Sequence, residues 1–166
     1  MRPKRYIKYL IIIIFLYHNL SYAENLNDKF VIQNKVNLEK FDTFNIDGSV
    51  NAFIEIISGE NLKWELNPNN KSIEVEFKNG KPRKIDYLSY PFNYGFIINT
   101  KLKYNHDGDG DPIDIIILSQ DKVRRGSVVK VKIIGMIKMK DKKLIDNKII
   151  SVKVGSKFEK VKSIAD

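Results

Sequence analysis

The sequence predicts a mainly β domain, a small barrel or sandwich, on three observations. From Val50 onward, apolar residues alternate in short runs of roughly 6 to 12 residues, broken by Gly, Asn and Pro. The run Ile113–Leu118 is too continuously apolar to alternate and reads as a strand buried on both faces. Beyond the first 23 residues, no stretch has the periodicity of a helix of ordinary length.

The elements follow in order. Residues 24–49 form a polar N-terminal arm, irregular with at most one short strand, and the domain proper spans residues 50–166. "AFIEII" (Ala52–Ile57) and "LKWEL" (Leu62–Leu66) read as strands, and "NPNN" (Asn67–Asn70) as a turn. "IEVEFK" (Ile73–Lys78) reads as one strand, closed by the hairpin dipeptide Asn79–Gly80. "GSVVKVKIIGMIKM" (Gly126–Met139) is a long strand expected to kink at Gly135, and "KIISVKV" (Lys148–Val154) is the last strand.

The first 23 residues differ from the rest. Arg2, Lys4, Arg5 and Lys8 precede an apolar run, Tyr9–Tyr17, and then the small residues of "SYA". The run is shorter than the roughly 20 residues that span a bilayer. A cleaved signal peptide over residues 1–23 is expected, with export to the periplasm or medium and no stable membrane anchor. Removing those four basic residues from 29 leaves 25 Lys and Arg against 20 Asp and Glu. A mild excess of that kind suits anionic ligands such as phosphates. With no cysteine there is no disulfide framework.

Within strands, several charges share a row with apolar residues. Glu55 is expected on the face of Phe53 and Ile57, Lys63 with Glu65 opposite Trp64, and Asp146 with Lys148 along the row of Ile150 and Val152. Such charges are costly unless paired or liganded. Together with "HDGDGDPIDIIIL" (His106–Leu118) they indicate a polar cavity at one end of a barrel. Carboxylates crowded so closely repel one another and are tolerated when a cation holds them. The stretch is no EF-hand loop: counted from Asp107, the sixth position is Pro112 where Gly is needed, and the twelfth is Leu118 where Glu is needed. Asp141 and Asp146 form a second carboxylate pair. Oxygen donors without His or Cys clusters point to magnesium or manganese rather than zinc. Carboxylates with Lys63, Arg83 and Lys148 form the layout for metal-assisted phosphoryl transfer to water.

These residues resemble the soluble, family I inorganic pyrophosphatases. "DGDPIDIIIL" (Asp109–Leu118) is similar to the family signature, and "KPRKIDYLSYPFNYGFI" (Lys81–Ile97) to its tyrosine-rich segment. "IEI" (Ile54–Ile56), "KWE" (Lys63–Glu65) and "GMIKMKDKKLIDNKII" (Gly135–Ile150) match in order and approximate spacing. The resemblance implies a five-stranded, OB-like barrel that hydrolyses inorganic pyrophosphate with Mg2+, Mn2+ being a possible substitute. It implies that Asp109, Asp114 and Asp146 hold the metal of the nucleophilic water, that Asp141 and Asp146 hold a further ion, and Glu55 another. Asp111 is then the general base. Lys63, Arg83, Tyr94 and Lys148 bind phosphate oxygens, with Glu65 and Tyr90 supporting. Of the tyrosines, Tyr87 is expected to be a core aromatic, while Tyr94 needs a partner for its hydroxyl.

The resemblance also implies a departure. The family continues into helices, one carrying a Tyr-Lys pair that binds phosphate, and no such pair follows the last strand here. The expectation is a barrel without its C-terminal helices, with reduced phosphate affinity, an exposed apolar surface over Val128–Val154 and a weakened homo-oligomer. A homologue that binds metal and phosphate without turnover is the alternative. Nucleic-acid binding is not expected, because an acidic pocket repels phosphate backbones and the tyrosines lie next to Gly and Pro turns.

Overall fold

The computed structural model describes residues 29–104 and 107–165. The expected signal peptide lies outside the described residues. Among the described residues twelve strands appear in chain order: β1 (Val31–Gln33), β2 (Val50–Ile56), β3 (Trp64–Leu66), β4 (Ser72–Val75), β5 (Phe77–Lys78), β6 (Lys81–Pro82), β7 (Asn93–Ile97), β8 (Asp114–Leu118), β9 (Val128–Ile137), β10 (Lys140–Asp141), β11 (Leu144–Ile145) and β12 (Lys148–Lys153). Five close into a barrel in the order β12-β8-β7-β2-β9. All neighbours are antiparallel except β12 and β8, which run parallel. No helix among the described residues is long and apolar enough to cross a membrane.

The core has two parts. Val50, Ala52, Ile54, Ile97, Ile115, Ile117 and Val131 alternate along the barrel strands and fill the barrel. Phe53, Ile56, Trp64, Ile73, Val75, Phe96 and Ile98 join β2 and β7 to a second sheet of order β1-β4-β3. Every residue of β2 is therefore buried, since both its faces are covered. The N-terminal arm contributes β1, and Phe30, Leu38 and Phe41 pack on the second cluster.

The structure corrects the expected strands in three places. The strand expected over Ile73–Lys78 breaks at Glu76 into β4 and β5, and β5 turns back through Asn79 and Gly80, both at positive φ. The kink in β9 is a bulge: β12 pairs Ile150 with Gly135 and Ser151 with Ile133, leaving Ile134 unmatched. A second bulge in β2 pairs Ile54 with Gly95 and Ile56 with Tyr94, leaving Glu55 unmatched. The extra residue reverses the alternation, so Phe53 packs with Ile56 and Ile54 with Ile57. Glu55 stays on the face of Phe53, toward Leu66 and Phe96, as alternation required, while Ile57 has moved to the other face with Ile54. Gly95 is needed opposite that bulge, where a Cβ would lie 1.8 Å from the Phe53 carbonyl oxygen.

Tyr87 is also corrected. It is 91% exposed on the loop before β7 rather than part of the core. Along β9 and the following hairpin, Ile133, Met136, Ile137, Met139 and Leu144 are exposed, in line with the apolar surface expected over Val128–Val154.

Candidate active site

Asp114 opens β8 and Lys148 opens β12. Because these strands are parallel and pair Ile115 with Ile149, the two side chains emerge side by side at one mouth of the barrel. Lys148 Nζ donates to Asp114 Oδ2 and to Asp146 Oδ1. Burial works against the ammonium, but these bonds hold its pKa above the ordinary value, so it remains a cation. Tyr94, on neighbouring β7, brings its hydroxyl close to Asp114, and Lys148 Nζ lies 5.7 Å from its ring centroid. Burial and then the Asp114 charge push the Tyr94 phenol far up, so it stays protonated as a donor. Tyr90 packs against it with ring centroids 6.2 Å apart.

Glu55 enters the site from the β2 bulge. It is only 8% exposed, and its Oε1 accepts from the Leu66 backbone N–H at 2.7 Å. Burial, followed by the charges of Glu65 and Asp114, raises its pKa to about 8. Glu55, Glu65, Asp111 and Asp114 line one cavity of about 470 Å3. Asp111 is also raised, by burial first and then by Asp109, Glu65 and Asp114. The Asp109 carboxylate accepts from the Asp111 backbone N–H at 2.9 Å, which folds the acidic stretch back on itself. Gly110 allows this turn at φ 89, with Tyr104 packed where a side chain would stand.

A second cationic group lies on the β3 side. Lys63 pairs with Glu65 at 2.5 Å and with Glu76 at 3.2 Å, and Arg83 pairs with Glu76 at 2.6 Å. Burial opposes the Glu76 charge, yet hydrogen bonds from Arg83 and Lys63 keep its carboxyl below the ordinary value. Glu76 is thus the link that holds Lys63 and Arg83 together. Sequence reasoning passed over it, because alternation places Glu76 on a polar row without saying which cations that row meets.

The expected residues therefore fall into three groups: Asp114, Asp146, Lys148 and Tyr94; Glu55, Glu65 and Asp111 on the cavity; and Lys63 with Arg83 through Glu76. Asp141 stands apart, exposed on the β10–β11 hairpin. That hairpin is tied to the acidic loop by the Ile145 N–H, which donates to the Asp107 carbonyl at 2.7 Å. Among the described residues no three acidic or metal-binding side chains converge into a ready cage for an ion. The donor chemistry nevertheless fits a hard divalent cation. Every donor is a carboxylate oxygen, and burial, with mutual repulsion after it, raises the proton affinity of Glu55 and Asp111.

The family model described as inorganic pyrophosphatase matches residues 52–166. The inorganic pyrophosphatase of Campylobacter jejuni is 32% identical over 134 residues, 79% of this chain and 72% of the relative. That of Sulfolobus acidocaldarius is 36% identical over 122 residues, 70% of this chain and 64% of the relative. Among solved structures, type I inorganic pyrophosphatase from P. falciparum superposes with a TM-score of 0.69 at 29% identity, covering 76% of this chain and 44% of that one. Inorganic pyrophosphatase from Thermus thermophilus gives 0.66 at 28% identity, covering 78% of this chain and 70% of that one. The chain thus spans roughly two thirds of the curated relatives and less than half of the P. falciparum protein. With all but the first two residues of its closed barrel and the whole acidic segment inside the matched region, the chain belongs to the inorganic pyrophosphatase family.

Proposed function

We propose that this chain hydrolyses inorganic pyrophosphate to two phosphates with Mg2+, Mn2+ serving as a substitute. The observation that supports it best is one cavity lined by Glu55, Glu65, Asp111 and Asp114, with Lys63 bonded to Glu65 and Lys148 to Asp114. Acidic groups there would hold divalent cations, and the cations beside them would receive the phosphate oxygens of the substrate. Asp109, Asp114, Asp146, Glu55 and Asp141 would be the metal ligands. Bound metal would lower the pKa of a coordinated water toward neutrality.

The chain's own residues account for the rest. Asp111 has a raised proton affinity and accepts the proton as water adds to phosphorus. The P–O bond to the bridging oxygen breaks, and the leaving phosphate takes the bridging oxygen with its electron pair. Lys63, Arg83 and Lys148 offset the charge that develops on it, and Tyr94 donates a neutral hydrogen bond. Glu76 keeps Lys63 and Arg83 together, and Glu65 keeps Lys63 over the cavity. When substrate enters, Lys148 exchanges its bonds to Asp114 and Asp146 for phosphate, which frees both carboxylates.

The test is phosphate release from pyrophosphate by the purified chain with Mg2+, Mn2+ or EDTA. Metal-dependent release, abolished by EDTA, is expected. A folded chain that binds Mg2+ and releases no phosphate would support the alternative, a binding protein without turnover. That alternative draws on Lys148, which occupies the space between Asp114 and Asp146. We further propose that residues 1–23 direct export, which mass spectrometry of the secreted species would show as a first residue of Glu24.

A further inference from the structure

Arg125 lies in the turn before β9 and carries none of the roles above. Its side chain is only 12% exposed, although it is a cation. Three contacts hold it. Its Nε donates to the Glu55 backbone carbonyl at 2.9 Å. Its guanidinium carbon lies 4.0 Å from the centroid of the Trp64 ring. Its Nη2 stands 3.0 Å from Glu60 Oε1, as an ion pair rather than an aligned hydrogen bond.

Each contact lies beside a group of the candidate site. Glu55 is the bulged residue whose carboxylate enters the cavity. A bulge leaves a residue out of the strand ladder, so its carbonyl needs a partner from elsewhere. Arg125 supplies that partner, and next to it the Gly126 N–H donates to the Ile54 carbonyl at 2.8 Å. Trp64 separates Lys63 from Glu65, and its buried indole N–H has no acceptor among the described residues. Packing and the Arg125 face therefore hold this ring in place. Glu60 accepts from the Tyr90 backbone N–H at 2.7 Å through its carbonyl, and the Gly59 N–H donates to the Tyr90 carbonyl at 2.8 Å.

We propose that Arg125 is a positioning residue: one buried guanidinium sets the Glu55 bulge, the Lys63–Glu65 segment and the Tyr90 loop in register with one another. It acts through these segments and touches no substrate. Only a planar fork on a long stem can donate in its plane and stack on an indole at the same time. Lysine keeps the charge but has neither capacity. The inference rests on the reading of Glu55 as a metal-binding group, and the test separates the two.

The probe is Mn2+ alone, its free concentration read by electron paramagnetic resonance, with emission from Trp64, the chain's only tryptophan, followed in parallel. The full chain is compared with Arg125→Lys and Arg125→Met, each checked for native circular dichroism. Loss of a group that orients a ligand weakens metal binding by about 10- to 100-fold. Arg125→Lys is expected to bind Mn2+ at least about tenfold more weakly, with shifted Trp64 emission and a native fold. If Arg125→Met fails to fold, Arg125→Lys decides alone. Wild-type Mn2+ affinity in a folded Arg125→Lys, with only a lower melting temperature, would make Arg125 a structural residue and overturn the proposal. A wild-type chain that binds no Mn2+ would overturn the reading of Glu55, and this inference with it.

Discussion

Replacing Glu55 by Gln should make the metal-free protein more stable at alkaline pH, and the structure supplies the size of the effect. Gln keeps the shape and the oxygen that accepts from the Leu66 N–H at 2.7 Å, so packing and that bond persist. What disappears is the ionisation. In the unfolded chain Glu55 titrates near 4.5, and in the fold burial and its acidic neighbours move it to about 8. Below the lower value the carboxyl is neutral in both states and pH has no leverage. Between the two values unfolding releases a proton, and stability falls by about 1.4 kcal/mol per pH unit. Above the upper value both states are charged and the loss is complete, at most about 5 kcal/mol. The difference in unfolding free energy between Glu55→Gln and wild type should therefore be small near pH 5 and grow to several kcal/mol in favour of the variant by pH 8. Urea denaturation of both proteins in EDTA, at intervals from pH 5 to 8.5, measures it. Added Mg2+ at pH 8 should reverse the order, because an ion that binds the ionised carboxylate stabilises wild type by mass action. Stability curves that stay parallel within about 1 kcal/mol over the range would refute the buried, proton-holding Glu55.

Other outcomes follow from the same site. Asp111→Asn should lower turnover by roughly 100-fold or more while leaving Mn2+ binding close to wild type, and equal loss of both would make Asp111 a ligand instead. Glu76→Gln should raise KM for pyrophosphate more than it lowers kcat, because Lys63 and Arg83 lose their shared anchor; steady-state kinetics separates the two effects. Gly95→Ala should destabilise the barrel by about 3 kcal/mol or more in denaturant titration, since its Cβ would meet the Phe53 carbonyl oxygen at 1.8 Å. Lys148→Met should lower the melting temperature in EDTA, where Asp114 and Asp146 lose their cation, and recover most of that loss with Mg2+.

The kinds of chemistry in this protein are legible in its sequence, because they depend on residue type and local spacing. Asp109, Asp111 and Asp114 beside a continuously apolar strand announce a carboxylate site at a barrel mouth. Period-two alternation identifies β2, β3, β4, β9 and β12, a continuous apolar run identifies β8, and Asn79–Gly80 identifies the hairpin between β5 and β6. Strand β7 escaped that reading although it lies between β2 and β8 in the barrel, because Gly95 and the tyrosines around it blur the apolar pattern. The glycine is explained only by its neighbour in space, the bulged β2. Tertiary structure alone decided that Ile57 leaves the face of Phe53 and Glu55, since one unmatched residue reverses the strand beyond it and pairing partners lie far away in the chain. It also decided that Glu76 joins Lys63 to Arg83, and that Arg125 reaches Glu55, Glu60 and Trp64 together. Spacing along a strand reports a side chain's row, while its ion partners depend on which strands the closed barrel and the second sheet bring face to face.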